Sequence, residues 1–479
     1  MTDGNVLSSI DPLTIRRIHL VGVAGTGMGS FAGMLKAAGY EVTGSDENVY
    51  PPMSDMLQTW GIPALTPYAS QNLEVARPDL VIIGNVIRRV NVEATAVRAA
   101  GLPQMSFPAA LGSLFLKQRH AIVVAGTHGK TTTSSLMGHV LTSALRDPTF
   151  LVGGVTNNYA GNYRLGKGPH FVVEGDEYDT AYFDKGPKFL HYQPRTVILT
   201  SVEFDHADIY RDLAHYEASF KKLIAIIPKD GLLAVSTAYP NAIALAKACP
   251  ARVVTYRGQE GAAADYAPSG LRFSAAGADF TVLERGEALG EVHLPMGGAH
   301  NVENALGVIA ASRALGLSIA EIAAGLASFS GVKRRQEVRG EKRGVLVIDD
   351  FAHHPTAVRE TIQGVKGRCP GRRLWAIFEP RSNTSRRNIH QDDYAQSFAG
   401  AALASIKVAE PHDKIPAGEG LDVPKLAAAL TARGIPAFAA PSVEALLDEV
   451  VAGAKSGDVL LVMSNGSFGG FVDKLLARL

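Results

Sequence analysis

The sequence predicts an α/β protein of three domains, two Rossmann-like ones flanking a central domain built on a phosphate loop, and three observations carry that prediction. At 479 residues the chain exceeds what a single hydrophobic core organises. Short apolar runs rich in β-branched residues recur along it, each ending in glycine or polar residues and many followed by a helical stretch, as in parallel sheets covered by helices. The pattern breaks near residues 112–119 and again at the basic cluster Lys333-Arg334-Arg335, which places domains at 1–115, 116–332 and 333–479.

In the first domain, residues 18–23 (IHLVGV) read as a buried strand that enters the turn Gly22-Val23-Ala24-Gly25-Thr26-Gly27-Met28-Gly29, followed by a helix to Ala38. Residues 41–46 (EVTGSD) form a second strand ending on Asp46, which completes one nucleotide-binding βαβ unit. Its glycines are out of register with the dinucleotide pattern, since Ser30 stands three beyond Gly27. Residues 79–84 (DLVIIG) make a further strand leading into Asn85.

Residues 121–133 (AIVVAGTHGKTTT) deliver a strand through a glycine turn into a helix N-terminus, where free N–H groups and the helix dipole both favour an anion. Only Thr127 and His128 separate Gly126 from Gly129, fewer than in the usual phosphate loop. Lys130 is nevertheless placed to reach terminal phosphates, and the Thr131 hydroxyl to sit on Mg²⁺, which makes this a central P-loop ATPase-like domain with ATP as its ligand. Residues 171–174 (FVVE) end on Glu174 and open the acidic run through Asp176 and Asp179, whose hard oxygens suit Mg²⁺. Residues 196–200 (TVILT) lead towards His206, and the strand ends carrying Thr131, Glu174 and His206 should face one crevice. Residues 251–295 read as an antiparallel excursion. Asn301 reads as a helix cap, whereas Asn304, a turn deeper, is placed to hydrogen-bond a base.

In the third domain, residues 344–349 (GVLVID), 374–378 (LWAIF) and 459–463 (VLLVM) are strands ending in Asp350 to Pro355, in Glu379 to Asn383 and in Ser464 to Gly466.

A formal net charge of +1 gives no basic field for a nucleic-acid backbone. Two cysteines are too few for a disulfide framework. Residues 1–9 lack a cationic stretch followed by an apolar core, and the longest apolar stretch, 305–329, is interrupted by Arg313, Ser318 and Glu321, so a cytoplasmic location without membrane contact is expected.

With the GTHGKTT loop, Glu174, His206, residues 300–304, Arg335 and residues 350–355 in this order, the whole chain resembles the Mur ligase family. The turn at 22–29 and the His353-His354-Pro355 tripeptide narrow the likeness to the branch acting on UDP-N-acetylmuramate. The segments SDENVYPPMS, EGDEYDTAYFDK, EFDHADIY, DDFAHHPT, EPRSNT and MSNG point to the murein tripeptide L-alanyl-γ-D-glutamyl-meso-diaminopimelate as acceptor, with free L-alanine as the alternative.

The resemblance implies an ADP-forming ligase in which the lactyl carboxylate takes the γ-phosphoryl group and the acyl phosphate is captured by an amine. It implies a catalytic set of Lys130, Glu174, His206 and Arg335, with Mg²⁺ on Thr131, Glu174 and His206. ATP would contact Gly126, Thr127, His128, Gly129, Lys130, Thr131, Thr132, Asn304, Arg335, Asp350 at the ribose and His353. UDP would lie on Gly25, Thr26, Gly27 and Met28 with Asp46 and Asn85 nearby, and Arg381 with Asn383 would take the peptide. Several family members carry a carbamylated lysine where this chain has Phe220. A monomer or weak dimer is expected. A nicotinamide oxidoreductase would explain residues 18–46 alone, and a nucleotide switch the loop alone.

Overall fold

The computed structural model describes residues 3–51, 53–159, 161–410, 415–416 and 418–479. Pro52, inside the SDENVYPPMS segment, lies outside the described residues. Three sheets organise the chain, in keeping with the predicted fold class.

The first has five parallel strands, β1 (Arg17–Val21), β2 (Glu41–Ser45), β3 (Ala64–Leu65), β4 (Leu80–Ile83) and β5 (Gln104–Ser106), in the order β3-β2-β1-β4-β5. The chain order reverses between β1 and β4, so the turn after β1 and Asn85 after β4 flank the crevice where such sheets take ligands.

The second sheet is made of β6 (His120–Ala125), β7 (Thr149–Leu151), β8 (Tyr163–Arg164), β9 (His170–Gly175), β10 (Thr196–Leu199), β11 (Leu232–Ser236), β12 (Arg252–Tyr256), β13 (Tyr266–Ser274), β14 (Gly277–Glu284) and β15 (Glu287–Leu294). Their order is β15-β14-β13-β12-β11-β10-β6-β9-β7-β8. The expected antiparallel excursion is therefore only partly so: β13, β14 and β15 are antiparallel, but β12 pairs in parallel with β11. The connection from β11 to β12 carries the helix Pro240–Ala246, and a crossover of that kind produces a parallel neighbour.

The third sheet, β16 (Glu337–Lys342), β17 (Val345–Asp350), β18 (Arg373–Phe378), β19 (Leu403–Lys407), β20 (Ala437–Ala440) and β21 (Asp458–Met463), is ordered β16-β17-β21-β18-β19-β20. Only the β16–β17 hairpin is antiparallel, and its first strand is too polar to be recognised from its sequence.

One continuous apolar core runs from the first sheet, through Phe31, Leu111 and Leu116, into Val123, Val173 and Leu199 of the second. Trp60 and Tyr163 add an edge-to-face contact at 5.6 Å between the same two domains. The third domain fills separate cores around Phe378 and Trp375, and it meets the second through polar contacts such as Asn383 to Asp208 and Thr356 to Glu203. Apolar joints resist separation whereas polar ones are remade with water, so of the two interfaces the one with the third domain resists separation less. Among the described residues no helix is long and apolar enough to cross a membrane.

Candidate active site

Strands β10, β6 and β9 are neighbours, and their carboxyl ends open into a cleft of about 990 Å³ lined by residues of all three domains. Thr26, Gly27 and Phe107 line it from the first, Thr127 to Thr132, Glu174, His206 and Asn304 from the second, and Arg335, Asp350 and His353 from the third.

The phosphate turn owes its shape to two glycines. At Gly126, φ is +138° and a Cβ would stand 2.2 Å from Thr200 Oγ1; Gly129 caps the helix Lys130–Ser143 in the left-handed region at φ +79°. Ser201 Oγ accepts from His128 N at 2.8 Å, Ser201 O accepts from Thr127 N at 3.1 Å, and Thr200 donates to His128 O at 2.5 Å. The loop is thereby tied to the end of β10, with Thr132 buried in the first helical turn. Asn304, on the helix Ala299–Ala314, packs its side-chain oxygen against Gly129 and accordingly sits beside the turn.

Lys130 Nζ donates to Gly126 O at 2.6 Å and to both Glu177 oxygens at 3.0 and 3.2 Å. Glu177 also pairs with His206 Nε2 at 2.8 Å and accepts from Tyr216 OH at 3.0 Å, which makes it the hub of the site. Burial pushes its carboxyl up, but Lys130 and His206 outweigh burial and bring it down to about 2. Burial likewise lowers Lys130, and Glu177, Asp176 and Glu174 overcome it, so the ammonium is held charged. Glu177 is the residue that sequence reasoning missed. It stands in a run of four carboxylates at a strand end, where no periodicity tells the fully enclosed one from its partly exposed neighbours.

Glu174 Oε1 accepts from the Thr131 hydroxyl at 3.1 Å and Oε2 from Gly153 N at 2.9 Å. Burial first, and Asp176 second, push this carboxyl above its ordinary pKa. A largely buried carboxylate and a hydroxyl beside a phosphate turn, with Asp176 adding negative charge, fit a hard divalent cation. His206 is paired with Glu177 and adopts φ +56° with its ring 4.1 Å from that of Tyr178. Arg335 crosses from the third domain, donates to Thr131 Oγ1 at 3.1 Å and lies 4.6 Å over the Phe351 ring.

The Asp350 side chain accepts from Gln336 N and Ala352 N, both at 2.8 Å, and so shapes the turn that presents His353. His353 Nε2 faces Asp205 at 3.9 Å. Phe220 is fully buried against Phe189 and Tyr216, with Lys221 and Lys222 exposed beside it, so an apolar ring occupies the place of the relatives' carbamylated lysine.

In the first domain Gly25 caps the helix Thr26–Ala37, with Thr26 and Gly27 exposed at its mouth. Met28 turns its side chain into the core, leaving only backbone for a ligand. Asp46 Oδ2 accepts from Ala24 N at 2.8 Å and holds the turn open, and Asn85 is exposed across the crevice. Arg381 is half-exposed with Glu379 at 3.9 Å, and Asn383 donates to Asp208 at 2.8 Å; neither lines the cleft in this arrangement.

A nucleotide-phosphate turn, a carboxylate–hydroxyl pair, a buried lysine and an arginine supplied by another domain are the parts of a nucleotide-dependent phosphoryl-transfer site. The chain belongs to the Mur ligase family: residues 17–119 match the Mur ligase family catalytic domain, 124–312 the Mur ligase middle domain and 334–466 the Mur ligase glutamate ligase domain. It is an ADP-forming amide ligase. It is similar to the UDP-N-acetylmuramate–L-alanyl-γ-D-glutamyl-meso-2,6-diaminoheptandioate ligase of Escherichia coli K12, 42% identical over 462 residues that cover 96% of this chain and 97% of that one. Among solved structures, a murein peptide ligase from Psychrobacter arcticus has a TM-score of 0.71 at 36% identity, covering 96% of this chain and 98% of that one. The UDP-N-acetylmuramate-alanine ligase of Thermotoga maritima has a TM-score of 0.78 at 25% identity, over 96% and 98%.

Proposed function

We propose that this enzyme joins the lactyl carboxylate of UDP-N-acetylmuramate to the α-amine of L-alanyl-γ-D-glutamyl-meso-diaminopimelate, using ATP and Mg²⁺, in the recycling of cell-wall peptide. The observation that carries the proposal is the convergence of Lys130, Thr131, Glu174 and Arg335 at one end of a cleft whose other wall is the helix N-terminus at Thr26 and Gly27. A pyrophosphate on that second N-terminus directs its sugar towards the first site.

Thr131 and Glu174 hold Mg²⁺, which when bound draws charge off the γ-phosphate. Lys130 and Arg335 neutralise the phosphoryl oxygens as the lactyl carboxylate attacks phosphorus, the bond to the ADP oxygen breaks, and an acyl phosphate forms. The peptide amine then attacks the acyl carbon, phosphate departs, and the amine proton is lost. Glu177 keeps Lys130 charged and aimed along this path. Arg381 and Asn383, on the loop after β18, take carboxylates of the incoming peptide, which requires Asn383 to exchange Asp208 for substrate.

Similarity to ligases named for that tripeptide supports it as the acceptor; the higher TM-score of the alanine ligase favours L-alanine as the second reading. Phosphate release from ATP with UDP-N-acetylmuramate, comparing the two acceptors, decides between them. Tripeptide-dependent turnover is expected, with Arg381→Ala raising the peptide KM more than the ATP KM.

A further inference from the structure

Beside the site just described, and sharing His128 of its phosphate turn, four imidazole or carboxylate groups meet where the second domain touches the third. His128 and Glu203 come from the second, on the phosphate turn and the segment after β10; His354 and His390 come from the third. One ligand atom from each of His128, Glu203 and His354 lies within 4.8 Å of the others. The rings of His128 and His354 are 4.5 Å apart and those of His354 and His390 4.8 Å.

Two of these imidazoles are short of partners. His128 Nε2 and Glu203 Oε2 pair with each other at 2.9 Å, whereas the buried Nε2 atoms of His354 and His390 have no hydrogen-bond partner among the described residues. An unpartnered buried polar atom is costly, and His354 is only 6% exposed. His390 is held through Nδ1 by Asp393 at 2.9 Å, the carboxylate support that orients metal-binding imidazoles. Burial first, and His128 next, push His354 well below its ordinary pKa, so its ring is neutral. Two imidazoles and a carboxylate select a borderline-soft divalent cation over Mg²⁺.

We propose that His128, Glu203 and His354, with His390 beside them, form a binding site for a Zn²⁺-class cation that clamps the third domain onto the second. A tetrahedral site with metal–ligand bonds of about 2.0–2.1 Å sets its ligand atoms about 3.3 Å apart, so the 2.9 Å His128–Glu203 pair opens slightly and His354 draws in by up to about 1.5 Å, within the reach of side-chain adjustment. His354 Nδ1 accepts a long 3.3 Å bond from Thr356 N at the start of the helix Pro355–Arg368. Ligation through Nε2 moves the ring proton to Nδ1 and releases that contact. The Glu203 side chain, 31% exposed, provides the path of entry. Because the ligands come from two domains, the cation binds the closed arrangement in preference and slows reopening, so it inhibits turnover.

The test uses the full-length protein stripped with chelator and held in excess Mg²⁺, titrated with Zn²⁺ by calorimetry and with Co²⁺ by visible absorption. One site per chain is expected, kept in His206→Ala and weakened at least about tenfold in both His354→Gln and Glu203→Gln. X-ray absorption of the zinc-loaded wild-type protein needs no variant: two or more imidazoles are expected, whereas the Thr131, Glu174 and His206 set supplies only one. Zn²⁺ inhibition should weaken in parallel in His354→Gln. A single imidazole, binding abolished by His206→Ala, or no Zn²⁺ binding above the Mg²⁺ background would overturn the proposal.

Discussion

The chain contains the same local device twice, a strand that passes through a glycine turn into a helix N-terminus, and the two copies differ in what surrounds them. The turn at Gly25 is set by one carboxylate, Asp46 on Ala24 N, and offers a ligand backbone and dipole. The turn at Gly126–Gly129 is wired to β10 through Thr200 and Ser201, and behind it Lys130, Glu177, His206 and Tyr216 form a buried charged network. Backbone geometry alone holds an anion; moving a phosphoryl group also needs charge fixed in a site from which water is withdrawn.

If that contrast is right, Lys130→Ala should have the largest effect, a loss of about 3 kcal/mol or more of transition-state stabilisation in kcat/KM. Near-normal turnover would make the second turn a mere binding turn like the first. Glu177→Gln should follow, lowering kcat by about 2 kcal/mol because it leaves Lys130 and His206 poorly paired in a buried place. Its melting temperature should fall too; an unchanged kcat would remove Glu177 from the machinery. Asp46→Ala should be milder, costing about 1 kcal/mol, read as a raised KM for the UDP-sugar with kcat preserved.

Acid should separate the two regions most gently. His120, at the start of β6, is pushed down to about 4 by burial and by His170. The unfolded chain binds its proton first, so the second domain loses stability as pH falls from about 6.5 towards 4. In the first domain Asp79 is held at about 2 chiefly by Arg17, so its contribution persists down to its ordinary 3.8 and is lost only below that. Hydrogen exchange followed from pH 7 downwards should show β6 and its neighbours loosening before β1. The reverse order would contradict the assignment.

What could be read along the chain was whatever neighbouring residues decide together. The apolar runs ending at Val21, Ala125, Glu174, Leu199 and Phe378 became strands because β-branched and aliphatic residues bounded by glycine or polar residues leave few other folds. The phosphate turn was equally local, since glycines, lysine and threonines within eight residues build most of the cradle. The parallel placement of β12, by contrast, depends on which sheet edge is free after β11, and β16 exists as a strand only because β17 pairs with it.

The chain order of residues determined the three-domain α/β architecture, the two anion-binding turns and the residue types able to do phosphoryl chemistry. Tertiary structure alone decided which carboxylate became the hub. Glu177 is enclosed by Lys130, His206 and Tyr216, which stand 47, 29 and 39 residues away from it. Likewise it brought Arg335 to Thr131 across 204 residues and gathered His128, Glu203 and His354 at one interface. Burial and charge pairing are properties of what surrounds a side chain in space, and for these residues the surroundings come from segments far apart in the chain.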